Sequence, residues 1–178
     1  FAADSVEEAL GEIDIYNGGV RMSYLSINGR NRELIYTYYN YIDRNGQTRE
    51  IPAYCVNPNI KGVPQTVSEG ESIKYLAEER GSDPKVVGIV ANGYPTRSLS
   101  ELGGENKYHA YYATKAALWC YLLPNWDINN LKVNPSLTGV ELQRAQQILA
   151  AAKDIYRRGT SWTKVLTPGI VTEVDQDV

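Results

Sequence analysis

Four side chains carry the chemistry this chain could do: Cys55, Cys120, His109 and Lys115. The 178 residues hold two Cys and one His, too few for a zinc site of four Cys and His ligands. One Cys pair is also no disulfide scaffold. Cys55 sits in Tyr54-Cys55-Val56-Asn57-Pro58, at the end of a β-prone run. It reads either as a small packed hydrophobe or as a reactive nucleophile with Lys115 or His109 as its activating group. Cys120 reads as a packed thiol. A Cys55–Cys120 disulfide needs a short Cβ separation that sequence leaves open.

Lys115 interrupts the most apolar stretch of the chain, residues 108–123 (YHAYYATKAALWCYLL), in which His109 and Thr114 are the other clearly polar positions. A helix this apolar all round belongs in the centre of a fold. Helical spacing puts Tyr108, Tyr112, Lys115, Trp119 and Leu122 along one stripe and makes Tyr54, Tyr108, Tyr112 and Trp119 a candidate binding pocket. An ammonium there either packs its stem on aromatics and reaches water with its head, or faces a buried partner, for which Cys55 is the candidate. Left unpaired and buried it would be costly.

The elements that must position these residues divide the chain in two. Residues 20–28, 33–43 and 48–56 are β-rich and joined at Asn28-Gly29 and Asn45-Gly46, which predicts an antiparallel meander. Its middle strand carries Tyr36, Tyr38, Tyr39 and Tyr41, which read as strand faces. Beyond Pro64 the pattern turns helical. Ser68 and Glu71 match a capping box for a helix to about Arg80 that stops at Gly81, and Asp83-Pro84 opens a short helix through Ala91. Residues 96–106 form a loop with room for one helical turn, before a long helix from Lys107 to Leu123 that Pro124 ends. Thr138 and Glu141 open a helix to Arg158 that Gly159 closes, and residues 162–174 return to strand. The fold class expected is α+β, an antiparallel β-rich lobe with an inserted helical lobe around a central apolar helix.

Composition narrows the partners. The formal charge is −3, from 21 acidic and 18 basic residues, with no basic excess to hold nucleic acid or an anionic membrane. No apolar run is long enough to span a bilayer, so no membrane insertion is expected. Fourteen of the aromatic residues are Tyr, which points to strands and wet surfaces.

Three segments together resemble the thioester domain of Gram-positive surface adhesins: Tyr54-Cys55-Val56-Asn57-Pro58, then Val87-Gly88-Ile89-Val90-Ala91-Asn92-Gly93-Tyr94-Pro95, then Tyr112-Ala113-Thr114-Lys115-Ala116-Ala117-Leu118-Trp119. No one block is specific, but their order and spacing match. The resemblance implies a secreted module at the outer end of a wall-anchored protein or pilus tip. Its defining bond is an internal thioester between the Cys of the first block and a Gln in a Thr-Gln-x-Ala-Ile-Trp motif on the central helix. A thioester is an activated acyl group that an amine on a target surface can open to leave an amide; an aromatic pocket would slow its hydrolysis.

On this match Cys55 takes the cysteine position and Lys115 the glutamine position, and an amine cannot donate the acyl group. The remaining glutamines, Gln47, Gln65, Gln143, Gln146, Gln147 and Gln176, lie in no segment that matches the motif. The resemblance therefore implies a cell-surface adhesin or interaction domain without the Cys–Gln bond, taking an extracellular protein or glycan non-covalently, with no cofactor and no metal. A Cys55-dependent enzyme activated by Lys115 or His109 and a ligand-free spacer are the alternatives. The module is expected over residues 18–175, with a β lobe at 18–66 and 160–175 and a helical lobe at 67–159. Residues 1–17 would form a leader, and 176–178 the start of a linker to a further domain.

Overall fold

The computed structural model describes residues 12–56, 67–76 and 83–162. Strands β1 (Glu12–Ile27), β2 (Arg30–Ile42), β3 (Thr48–Pro52), β4 (Ser72–Leu76) and β5 (Leu131–Val133) form one antiparallel sheet. Its order is β3-β2-β1-β4, and β5 also pairs with β1. The helices are α1 (Pro84–Ala91), α2 (Leu99–Leu102), α3 (Lys107–Leu122) and α4 (Gly139–Thr160), with a 3-10 turn at Ile128–Asn130. The fold is α+β, as expected.

The meander forms where its turn residues dictate. Asn28 and Gly29 both have positive φ (53° and 76°), the hairpin geometry that Asn-Gly favours. At the second turn Asp43 accepts from the backbone N–H groups of Asn45 and Gln47 and from Arg49 Nε. The first strand runs back to Glu12, well before residue 18, because Glu12–Tyr16 pair with Leu76–Ser72 of β4. Further along the same edge, Leu25–Ile27 pair with β5.

Three local expectations are corrected. No helix starts at Ser68. Glu71 does reach the Ser68 N–H (3.4 Å), but Gly70 takes φ +80° and the chain turns into β4. A long-range strand partner outweighs a local capping signal. At Thr138 the helix begins without a side-chain cap, and Glu141, the other half of the expected capping box, pairs with Arg144 at 2.6 Å. And α4 runs through Gly159 to Thr160. A Cβ on Gly159 would lie 2.5 Å from Ile89 Cα, and one on Gly88 2.4 Å from the Gly159 carbonyl. These glycines allow α1 and α4 to approach closely; Gly159 does not end the helix. The expected final strand lies outside the described residues beyond Trp162.

Two clusters of buried side chains sandwich the sheet. The larger joins β1 and β2 to the helices through Leu25, Tyr36, Tyr54, Ile89, Tyr111, Tyr112 and Leu118. The smaller gathers Ile15, Tyr39, Ile51 and Ala53, with Cys55 and Val67 packed against it. Alternation along β2 and past β3 explains the division, since successive side chains point to opposite faces.

Candidate functional site

The helix α3 starts at Asn106, whose side chain accepts from the N–H groups of Tyr108 and His109 and supplies the N-cap. Ten of its side chains are buried, which fixes it against the sheet. Its anchor is Tyr111, 0% exposed. The Tyr111 hydroxyl donates to the Ala53 carbonyl at 2.9 Å, the Thr37 hydroxyl donates to the same carbonyl at 3.1 Å, and the two hydroxyls lie 3.0 Å apart.

The segment after β3 is held on both sides of that contact. The Tyr54 ring stacks on Tyr111 with centroids 4.9 Å apart, and its hydroxyl donates to the Tyr94 carbonyl at 2.7 Å. Burial first, then the neighbouring phenol of Tyr111, pushes the Tyr54 hydroxyl well above its ordinary value, so it stays a neutral donor. The Tyr94 N–H donates to Thr114 Oγ1 at 3.0 Å, and that hydroxyl donates to the Ala110 carbonyl at 2.9 Å. Gly93 lets the loop come this close: a Cβ there would sit 2.3 Å from Thr114 Cγ2. Residues 53–54, 93–94 and 111–114, far apart in sequence, thus lock together through hydrogen bonds that leave no buried hydroxyl among them unsatisfied.

One turn on from Tyr111 is Lys115. Its Nζ lies 5.5 Å from the ring centroids of both Tyr111 and Trp119, a double cation–π geometry. The lysine therefore sits on the stripe of residues four before and four after it. Tyr112, expected beside it, faces elsewhere: its hydroxyl donates to the Arg32 carbonyl at 2.6 Å and accepts from the Leu25 N–H at 3.0 Å. Tyr108 meets Tyr36 edge to face at 5.2 Å, and Trp119 meets Trp126 at 5.5 Å. Tyr54 and Tyr108 thus join one ring cluster through Tyr36 and Tyr111, while Tyr112 meets Tyr24 and Trp119 meets Trp126.

Cys55 is half-buried on the other side of the strand run, against the smaller cluster. No disulfide joins Cys55 and Cys120. Cys120 is buried, and burial followed by the nearby Asp127 raises its thiol to about 12, which keeps it protonated and inert. His109 is 6% exposed and its Nε2 lies 3.3 Å from the Tyr24 hydroxyl. Burial, then the Arg144 guanidinium, holds its imidazole below the ordinary 6.5.

Sequence reasoning missed Tyr94, Arg32 and Trp126 as site-forming residues. Tyr94 at least belongs to a quoted block; Arg32 is one cation in a strand and carries no local signature.

An antiparallel sheet carrying a tyrosine-cysteine segment, clamped by tyrosine and threonine hydroxyls to a buried central helix, defines a class of α+β module built around the junction of strand end and helix. The thioester domain family matches residues 52–161, more than half of the chain, and the chain belongs to that family. Among solved structures, the thioester domain of the Enterococcus faecium TIE86 protein is similar with a TM-score of 0.57 and 21% identity, covering 88% of this chain and 52% of that one. The Bacillus anthracis TIE protein is similar with a TM-score of 0.52 and 19% identity, covering 86% of this chain and 25% of that one. The chain thus spans about half the length of the first and a quarter of the second. No curated protein matches the sequence. Among the described residues no helix is long and apolar enough to cross a membrane.

Proposed function

We propose that this thioester domain is a secreted, non-enzymatic adhesion module of a Gram-positive cell-surface protein. In this reading it binds an extracellular protein or glycan without a Cys–Gln thioester between positions 55 and 115. The observation that carries the reading is the lysine in Thr114-Lys115-Ala116-Ala117-Leu118-Trp119, whose ammonium lies over two aromatic rings. An acyl donor must be a carboxamide, and an amine there takes the bond-forming atom away. The surrounding clamp is intact, so the domain keeps its architecture while the covalent step is lost. Anchoring to the cell wall and further domains of the same protein would lie outside this chain, in keeping with the fraction of the two structural neighbours that it covers.

The test is capture on immobilised extracellular-matrix proteins and glycans followed by a denaturing wash. Saturable capture that the wash releases is the expected result. Adducts that survive the wash would overturn the non-covalent reading, and absence of capture across the panel would favour a spacer.

A further inference from the structure

Six described Lys and Arg side chains are half-buried: Arg32, Arg49, Arg97, Lys107, Lys115 and Arg144. Four have a carboxylate within ion-pair distance. Arg49 meets Asp43 at 2.9 Å, Arg97 meets Asp154 at 3.0 Å, Lys107 meets Glu50 at 2.6 Å and Arg144 meets Glu141 at 2.6 Å. Among the described residues Arg32 and Lys115 have none, and both sit on the same pair of tryptophans. The Arg32 guanidinium lies 4.9 Å over the Trp126 ring, Lys115 Nζ lies 5.5 Å over Trp119, and the two indoles meet edge to face at 5.5 Å. Arg32 Nε is also buried with no hydrogen-bond partner. Withdrawing cations from water without pairing them is unfavourable. Among the described residues the other half-buried cations are neutralised and these two are left open, with donor capacity that a ligand could use.

We infer that Arg32, Trp126, Trp119 and Lys115 form a binding site for an acidic peptide segment of a protein ligand. The guanidinium fork suits a side-chain carboxylate, which it can grip through two parallel N–H bonds, and the ammonium supplies a second, less directional anchor. Each cation rides on its own indole, so the ligand meets two anchoring points, as an extended chain with two acidic side chains would. A glycan fits less well, because sugar rings bind by stacking on an open aromatic face. Here the Arg32 guanidinium covers the Trp126 ring, and that indole is only 7% exposed. The inference deepens the non-covalent binding reading and rests on it. The two fail separately, since the denaturing wash tests the covalent step and the titration below tests the ligand class.

Trp119 and Trp126 supply the readout. Intrinsic fluorescence of the whole chain is titrated with an acetylated hexaglutamate amide, with hexalysine and a sulfated heparin fragment as comparison probes. The expected result is a saturable, salt-weakened response to hexaglutamate, and none to hexalysine. Arg32→Gln and Lys115→Met should each weaken binding roughly tenfold, while Arg158→Gln, at the far end of α4, should leave it unchanged. Arg32→Lys keeps the charge without the planar fork and is expected to lose less than Arg32→Gln. Should Arg32→Gln fail to fold, Lys115→Met and Arg32→Lys decide the matter. The inference is overturned by absence of saturable binding, by equal weakening in Arg158→Gln, or by unaltered affinity in Lys115→Met. Tighter binding of the heparin fragment with the same dependence on Arg32 and Lys115 would overturn the peptide assignment.

Discussion

At Tyr111 the buried hydroxyls between α3 and the strand end all have partners, whereas further along the same helix Lys115 lies over Trp119, Trp119 meets Trp126, Trp126 carries a second cation, Arg32, and neither cation has a carboxylate among the described residues. The first region behaves as a structural clamp, in which polar atoms are arranged so that none is left over. The second keeps its hydrogen-bonding capacity unspent. A satisfied network rigidifies, while an unsatisfied pair of cations costs stability unless a ligand completes it. The difference separates a region that holds the fold together from one that, in the proposed reading, serves binding.

Breaking the clamp should have the largest effect. Tyr111→Ala removes a side chain in contact with Tyr36, Tyr54 and Lys115 and should cost about 3–5 kcal/mol in urea unfolding, the range for a buried aromatic. Tyr111→Phe keeps the ring and removes only the hydroxyl shared by Ala53 and Thr37, for about 1–2 kcal/mol.

His109 gives a smaller, pH-dependent term. Its folded-state pKa is depressed, so the unfolded chain binds the proton more readily. The contribution of the neutral imidazole is complete above about pH 6.5 and is lost as pH falls through the folded-state value. Urea midpoints should therefore fall on acidification through that window, and His109→Gln should flatten the dependence there. The smallest effect is expected at the unspent end: Lys115→Met should change stability by no more than about 0.5 kcal/mol, or raise it slightly, since it removes a cation with no carboxylate partner among the described residues. A loss as large as that of Tyr111→Phe would erase the distinction between the two regions.

Much of the fold was legible locally. Asn28-Gly29 specifies its turn by backbone preference, Asn45-Gly46 marks a turn that Asp43 also holds through side-chain bonds, Asp83-Pro84 caps α1 through bonds to the Lys85 and Val86 N–H groups, and the apolar length of α3 marks it as central. What failed was decided by distant partners. Ser68 and Glu71 carry a helix signal that pairing of β4 with β1 overrides, and β5 is three residues long, too short for any periodicity to register. Gly159 reads as a helix stop, and only the approach of Ile89 explains why it lies within α4. The site was half legible. The three quoted blocks do meet at Tyr54, Tyr94 and Thr114. The expected stripe placed Tyr112 beside Lys115, whereas Lys115 lies between Tyr111 and Trp119, and nothing in sequence could bring Arg32 to Trp126.

The central proposal is that Lys115 stands at the glutamine position and leaves this thioester domain without its thioester. Intact mass of the chain before and after denaturing alkylation tests it directly. The account predicts the full unmodified mass and alkylation at both Cys55 and Cys120; a mass lower by one ammonia, with Cys55 protected from the reagent, would contradict it.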